Sequence, residues 1–219
     1  MHAPSETELV AFEGWTLRVR RPPTHTGRLL LLVHGWTGDE NSMWIFARNL
    51  PMKYWIVAPR APHRTRPSGY SWRAWLPPKK EVMPNLGELR PAAEGLIALV
   101  DAYAAEHDLA ADEFDVIGFS QGGALASTLA LLHPRRIGRV GVLAGFVPAG
   151  VESLVEARPL SGKSFFIAHG SADALVKPEL AQRSIARLEA AGAKVTFCED
   201  DVGHKVSAGC LRGLEAFFA

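Results

Sequence analysis

The chain has 219 residues, 47% of them hydrophobic against 21% charged, a balance that builds an extensive core and excludes a disordered chain. At this length folding buries roughly 70% of the unfolded surface, so stability requires neither a metal nor a disulfide staple. The 24 Lys and Arg against 23 Asp and Glu leave a formal charge of +1, which excludes a field that draws in nucleic acid or an anionic membrane.

Residues 1–10 lack the cationic start and apolar core of a signal peptide, and no uncharged apolar stretch approaches 18 residues, so no membrane insertion and a cytoplasmic location are expected. Residues 9–20 alternate around Glu13-Gly14, the pattern of a hairpin at a sheet edge. The runs at 29–33, 55–58, 114–117, 140–143 and 165–168 are continuously apolar, as in strands covered on both faces. Helical spacing predicts helices over about 89–107, from just after Ser120 to before Pro134, and over 178–191, where Pro178 suits the first turn and Gly192 a C-terminal cap. The alternation predicts an α/β architecture with a mostly parallel central sheet between helical layers, in one domain spanning 1–219. Two Pro- and Gly-broken segments, about 61–85 and 146–161, are expected as long loops bordering a functional cleft. Arg60, Arg64 and Arg66 beside His63 are expected as solvated surface. Cys198 and Cys210 fall in a strand and a helix without a CxxC or Cys/His cluster, so both are read as reduced thiols, with no metal site.

The strand at 114–117 runs straight into Gly118-Phe119-Ser120-Gln121-Gly122-Gly123 and then into a helix. This GxSxG between strand and helix suits a nucleophile, because the sharp turn exposes the serine oxygen while the glycines let neighbouring backbone approach. The Gly and Ser frequencies give roughly 0.1 chance matches to it. A hydroxyl needs a base, and the base an orienting acid, carried in such folds on loops after later strands in the order Ser, acid, His. Asp173, after the strand at 165–168, is the candidate acid, with Asp200 and Asp201 as alternatives and a helix cap as Asp173's other role. His204, in the last strand-helix loop, is the candidate base. The backbone N–H groups of Gln121, after the nucleophile, and of Trp36, in the His34-Gly35-Trp36-Thr37-Gly38 loop, are the candidate oxyanion donors. Trp72 and Trp75 are expected either to line the cleft or to anchor its loop.

The stretches LLVHGWTGDENSM (31–43), APRAP (58–62), GYSW (69–72), GFSQGG (118–123), HGSAD (169–173) and GH (203–204) resemble the α/β-hydrolase superfamily. Within it they are similar to the phospholipase/carboxylesterase family that includes acyl-protein thioesterases. The resemblance implies the α/β-hydrolase fold, a three-layer sandwich, with Ser120, Asp173 and His204 as triad and no cofactor. It departs at Trp36-Thr37-Gly38, where members acting on protein lipids carry a Leu-Gly-Asp type sequence. The expected activity is hydrolysis of small-molecule carboxylic esters with small to medium acyl chains. Thioester or lysophospholipid hydrolysis by the same groups is the alternative, and a non-catalytic hydrolase-like binding module is the reading from another class. Monomer and homodimer are both open.

Overall fold

A computed structural model describes residues 7–23, 27–74 and 83–219; Trp75 and the rest of 75–82 lie outside the described residues. The hairpin pairs β1 (Glu8–Phe12) with β2 (Trp15–Arg20) in antiparallel register. Glu13 and Gly14 both take positive φ, 44° and 83°, the geometry that lets a two-residue turn follow the twist of the strands.

β2 joins the sheet antiparallel to β4 (Tyr54–Pro59), and from there every pairing is parallel. The order runs β1, β2, β4, β3 (Arg28–Val33), β7 (Phe114–Phe119), β8 (Ile137–Leu143), β9 (Ser164–Gly170), β10 (Lys194–Asp200). In β3, Leu29, Leu31 and Val33 face one core while Leu30 and Leu32 face the other, so a continuously apolar strand feeds two helical layers at once.

On the first face lie α1 (Leu86–Glu106), α2 (Gln121–Leu132) and α4 (Pro178–Ala190); on the second lies α5 (Ala208–Phe218), with Leu214 and Phe218 buried. α1 starts ahead of the expected position because Asn85 and Glu88 form a reciprocal capping box, with bonds of 3.0 and 3.1 Å. α4 opens on Pro178 and is followed by Gly192 at φ 98°. The loop at 146–161 contains a single-turn helix, α3 (Glu152–Glu156). The loop at 61–85 contains a small antiparallel ribbon, β5 (His63–Arg64) with β6 (Tyr70–Ser71). This is the α/β-hydrolase fold, and among the described residues no helix is long and apolar enough to cross a membrane.

The cysteines correct the sequence reading. Cys198 of β10 and Cys210 of α5 form a disulfide, with their Cα atoms 5.6 Å apart. α5 folds back along β10, a proximity that separation along the chain does not reveal. At the opposite end of the sheet from the cleft, the buried carboxylate of Asp115 accepts from the Arg139 N–H at 2.8 Å and the Tyr54 O–H at 3.0 Å, and pairs with Arg28 at 2.9 Å. This seam joins β3, β4, β7 and β8.

Candidate active site

The site sits at the C-terminal edge of the parallel strands, where β7 turns into α2. Ser120 has φ 54° and ψ −116°, a conformation a non-glycine residue holds only when its surroundings impose it. Its N–H donates to Leu143 O at 2.8 Å, pinning the turn to the end of β8. A Cβ on Gly118 would lie 2.0 Å from Gly122 O, and one on Gly122 would lie 2.1 Å from Val33 O. The two glycines thus let the turn close on itself and against β3.

Asp173 follows β9 and is buried. Its Oδ1 accepts from the N–H groups of Leu175 and Val176, both at 2.9 Å, which fixes the carboxylate plane. Its Oδ2 accepts from His204 Nδ1–H at 2.7 Å, and the opposite nitrogen, Nε2, lies 3.0 Å from Ser120 Oγ. Since Nδ1 carries the proton toward the carboxylate, Nε2 is left as the acceptor for the serine hydroxyl. The loops that carry Asp173 and His204 fit closely: Ala172 N–H donates to Val202 O at 3.1 Å, and a Cβ on Gly170 would lie 2.1 Å from that same oxygen. Asp200 Oδ1 serves the adjacent Asp201 N–H, and Asp201 Oδ1 lies 3.5 Å from Ser171 Oγ; neither carboxylate is hydrogen-bonded to His204. Asp173 does not cap α4, whose first position follows Lys177.

Gln121 is the first residue of α2, where backbone N–H groups lack intrahelical acceptors. The loop after β3 passes directly beside Ser120, and a Cβ on Gly35 would lie 3.3 Å from Ser120 Cβ. Trp36 follows in this loop and lines the cleft. His34 anchors the loop's root. Ala61 N–H donates to its Nε2 at 3.0 Å and its Nδ1 lies 2.7 Å from Gly35 O, which assigns the proton to Nδ1. Burial pushes this imidazole below its ordinary 6.5, consistent with a neutral ring.

A cleft of about 840 Å³ opens over Ser120 and His204. Met43, Phe46, Phe119, Phe146 and Val176 give it apolar walls, and Trp36, Ile45 and Leu175 stand exposed around it. Trp72 is not on that wall. It is buried behind the loop after β3, with Nε1–H donating to His34 O at 2.8 Å; of its two expected roles this corrects cleft lining and leaves that of loop anchor. Arg60 also departs from its expected solvated position: it pairs with Glu40 and stacks 4.8 Å over the Tyr70 ring. Sequence reasoning passed over His169, whose buried Nε2 lies 2.7 Å from Val176 O and 3.5 Å from Asp173 Oδ2. Its place four residues before Asp173 was the only signal available.

Residues 16–219 match the family model described as Phospholipase/Carboxylesterase. Carboxylesterase SOBER1 of Arabidopsis thaliana is 29% identical over 188 residues, which cover 81% of this chain and 76% of that protein. A probable carboxylesterase of Oryza sativa subsp. japonica is 32% identical over 128 residues, covering 58% of this chain and 48% of that protein, so the match spans about half the length of the rice relative. The crystal structure of a Bacillus cereus carboxylesterase has the same fold, with a TM-score of 0.81 at 20% identity over 94% of each chain. With the family model matching nearly its whole length, the chain belongs to the phospholipase/carboxylesterase family of α/β-hydrolases, a family of carboxylic ester hydrolases.

Proposed function

We propose that the chain, as one domain, is a serine hydrolase that cleaves small-molecule carboxylic esters with small to medium acyl chains. Ser120 Oγ attacks the ester carbonyl while its proton passes to His204 Nε2. Asp173 holds the imidazole by Nδ1–H and offsets the imidazolium charge. The N–H groups of Trp36 and Gln121 receive the oxyanion. Collapse of the tetrahedral intermediate breaks the bond to the alcohol, which leaves with the proton from His204, and the acyl group remains on Ser120 Oγ. Water then attacks this acyl-enzyme as its proton passes to His204. The acid is released when that proton returns to Oγ.

The observation that carries this reading is the continuous relay from Asp173 Oδ2 through His204 to Ser120 Oγ, with links of 2.7 and 3.0 Å. Met43, Phe46, Phe119 and Phe146 support an acyl chain beside Ser120, and Arg73, a charged residue that lines the same cleft, is paired with Glu88 at 3.1 Å. A cytoplasmic place of action, as expected from the sequence, carries a condition: thiols are kept reduced there, so Cys198 and Cys210 would work unbridged.

The test is labelling by a fluorophosphonate together with turnover of p-nitrophenyl esters of increasing chain length. The expected result is labelling at Ser120 and turnover highest among the short and medium esters. Ser120→Ala should abolish both, and Asp173→Asn should lower kcat by about 10⁴ by mis-setting the imidazole tautomer. A wild type that neither labels nor hydrolyses any ester refutes the proposal, as does activity retained in Ser120→Ala.

A further inference from the structure

Gln121 contributes more to the site than its backbone. Its side chain is hydrogen-bonded to the segment at 71–72, and the residue is only 6% exposed. Oε1 accepts from Trp72 N–H at 3.0 Å, and Ser71 Oγ lies 3.2 Å from Nε2 and 3.4 Å from Oε1. The segment it grips is sewn in turn to the loop after β3. Thr37 N–H donates to Tyr70 O at 3.0 Å, Tyr70 N–H donates to Gly38 O at 3.0 Å, and Trp72 Nε1–H donates to His34 O at 2.8 Å. Gly69 closes the seam: a Cβ there would fall 1.9 Å from Thr37 O. Hydrogen bonds therefore connect the side chain of the residue after the nucleophile to both sides of Trp36.

We propose that the Gln121 side chain is a positioning residue that fixes the two oxyanion donors relative to each other. Its own N–H is one donor. Through residues 70–72 it holds the loop that presents the other. The inference rests on the hydrolase reading above and deepens it by assigning a task to a side chain already engaged by Trp72 and Ser71.

A buried amide suits this task because it supplies an acceptor and a donor in one plane, and any apolar replacement leaves the Trp72 N–H unpaired in the interior. Donors stabilise an oxyanion only when held within a few tenths of an ångström of the place where charge develops. The planar ground-state ester makes a weaker demand on them. Loosening the clamp should therefore lower kcat and leave KM largely alone. A side chain that merely supported the fold would change thermal stability and not that split.

The experiment compares wild type, Gln121→Met and Trp72→Phe. The first removes the polar clamp at similar volume; the second removes the indole N–H that reaches His34 O together with part of the buried ring, and keeps the Trp72 backbone N–H bond to Gln121. Each folded variant, checked by circular dichroism, is assayed for kcat and KM on p-nitrophenyl butyrate, for fluorophosphonate labelling, and for Ki of butylboronic acid, which forms a tetrahedral anionic adduct with an active serine. Gln121→Met should lower kcat roughly 10–100-fold, change KM less than about threefold, and weaken boronate binding by a factor similar to the loss in kcat. Trp72→Phe should give the same pattern at smaller amplitude, and it decides the matter alone should Gln121→Met fail to fold. Unchanged kcat and boronate affinity in the folded variants, or a rise in KM at constant kcat, overturns the inference while leaving the hydrolase reading intact. A wild type that neither labels nor turns over ester overturns both.

Discussion

Arg60 grips Glu40 with two parallel hydrogen bonds, Nε to Oε2 at 2.7 Å and Nη2 to Oε1 at 2.8 Å. The partners are unequally placed. The Glu40 side chain, in the loop after β3, is 3% exposed, whereas the Arg60 side chain is 30% exposed. The guanidinium beside it holds the Glu40 carboxyl below its ordinary range, and the pair ties the loop after β3 to the loop after β4.

This inequality predicts an asymmetric response. Arg60→Ala leaves a buried carboxylate with the Asn41 amide at 3.0 Å as its remaining side-chain donor and should cost about 3 kcal/mol or more. Glu40→Gln leaves an arginine that can turn into water and should cost only about 1.5–3 kcal/mol. Urea denaturation of the two variants checks the order; a larger loss for Glu40→Gln would contradict it.

The turn around Ser120 gives a sharper prediction, because backbone rather than a flexible side chain occupies the space. Gly122→Ala brings a Cβ to within 2.1 Å of Val33 O and 2.6 Å of His34 O. Relief requires α2 to move off the end of β3, which would displace both proposed oxyanion donors at once. Ester turnover per folded molecule should fall by at least about 10²-fold. Gly14→Ala, at a hairpin turn with nothing within 4 Å of the added Cβ, should leave turnover unchanged while losing stability at its positive φ. Equal kcat in the two variants would refute the argument.

What could be read from the sequence followed from rules that connect neighbours in the chain. The Glu13-Gly14 turn, the apolar strands and the Gly118–Gly122 spacing are local patterns with a direct geometric consequence. The order Ser120, Asp173, His204 follows strand order, and the structure brings these three side chains together. What escaped depends on contacts across the fold. Arg60 reads as surface and Trp72 as either cleft lining or loop anchor, and only their partners across the fold, Glu40 and His34 in the loop after β3, decide their places. The Gln121 side chain and the Cys198–Cys210 pair were hidden for the same reason, since their partners are set by packing between layers.

His34 predicts how stability depends on pH. Its folded pKa lies below the ordinary 6.5 because burial disfavours the charged ring. The unfolded chain therefore takes up a proton near pH 6.5 that the folded chain refuses until lower pH. The stabilising contribution is complete above about 6.5 and is lost as the pH falls from there toward the folded value, at up to about 1.4 kcal/mol per pH unit. Glu40, also depressed, adds its own loss only below its ordinary 4.5. Urea midpoints should be level from pH 8 to 7 and decline below 6.5. His34→Gln should be less stable throughout, with a flatter slope between pH 6.5 and 5. A wild-type midpoint constant down to pH 5 would count against a neutral buried His34.

The disulfide encloses His204, the proposed base. Cys198 and Cys210 are 12 residues apart, and His204 lies on the segment between them. Closing so short a loop removes freedom mainly from the unfolded chain, a stabilisation of roughly 3 kcal/mol at 25 °C on the chain-entropy account. Opening it in a protein of this size should lower Tm by roughly 6–12 °C. The relay need not break, because Ser171 N–H still donates to Asp200 O at 2.9 Å and Ala172 N–H to Val202 O at 3.1 Å, and these bonds hold the base loop against the acid loop. Dithiothreitol, or the Cys198→Ala/Cys210→Ala pair, should therefore reduce thermal stability far more than kcat measured at 25 °C. Calorimetry and ester assays with and without reductant check this. Two titratable thiols in the folded, unreduced protein would sink the bridge itself, whereas a collapse of kcat at unchanged Tm would mean that the covalent link, and not the hydrogen bonds between the loops, sets the position of His204.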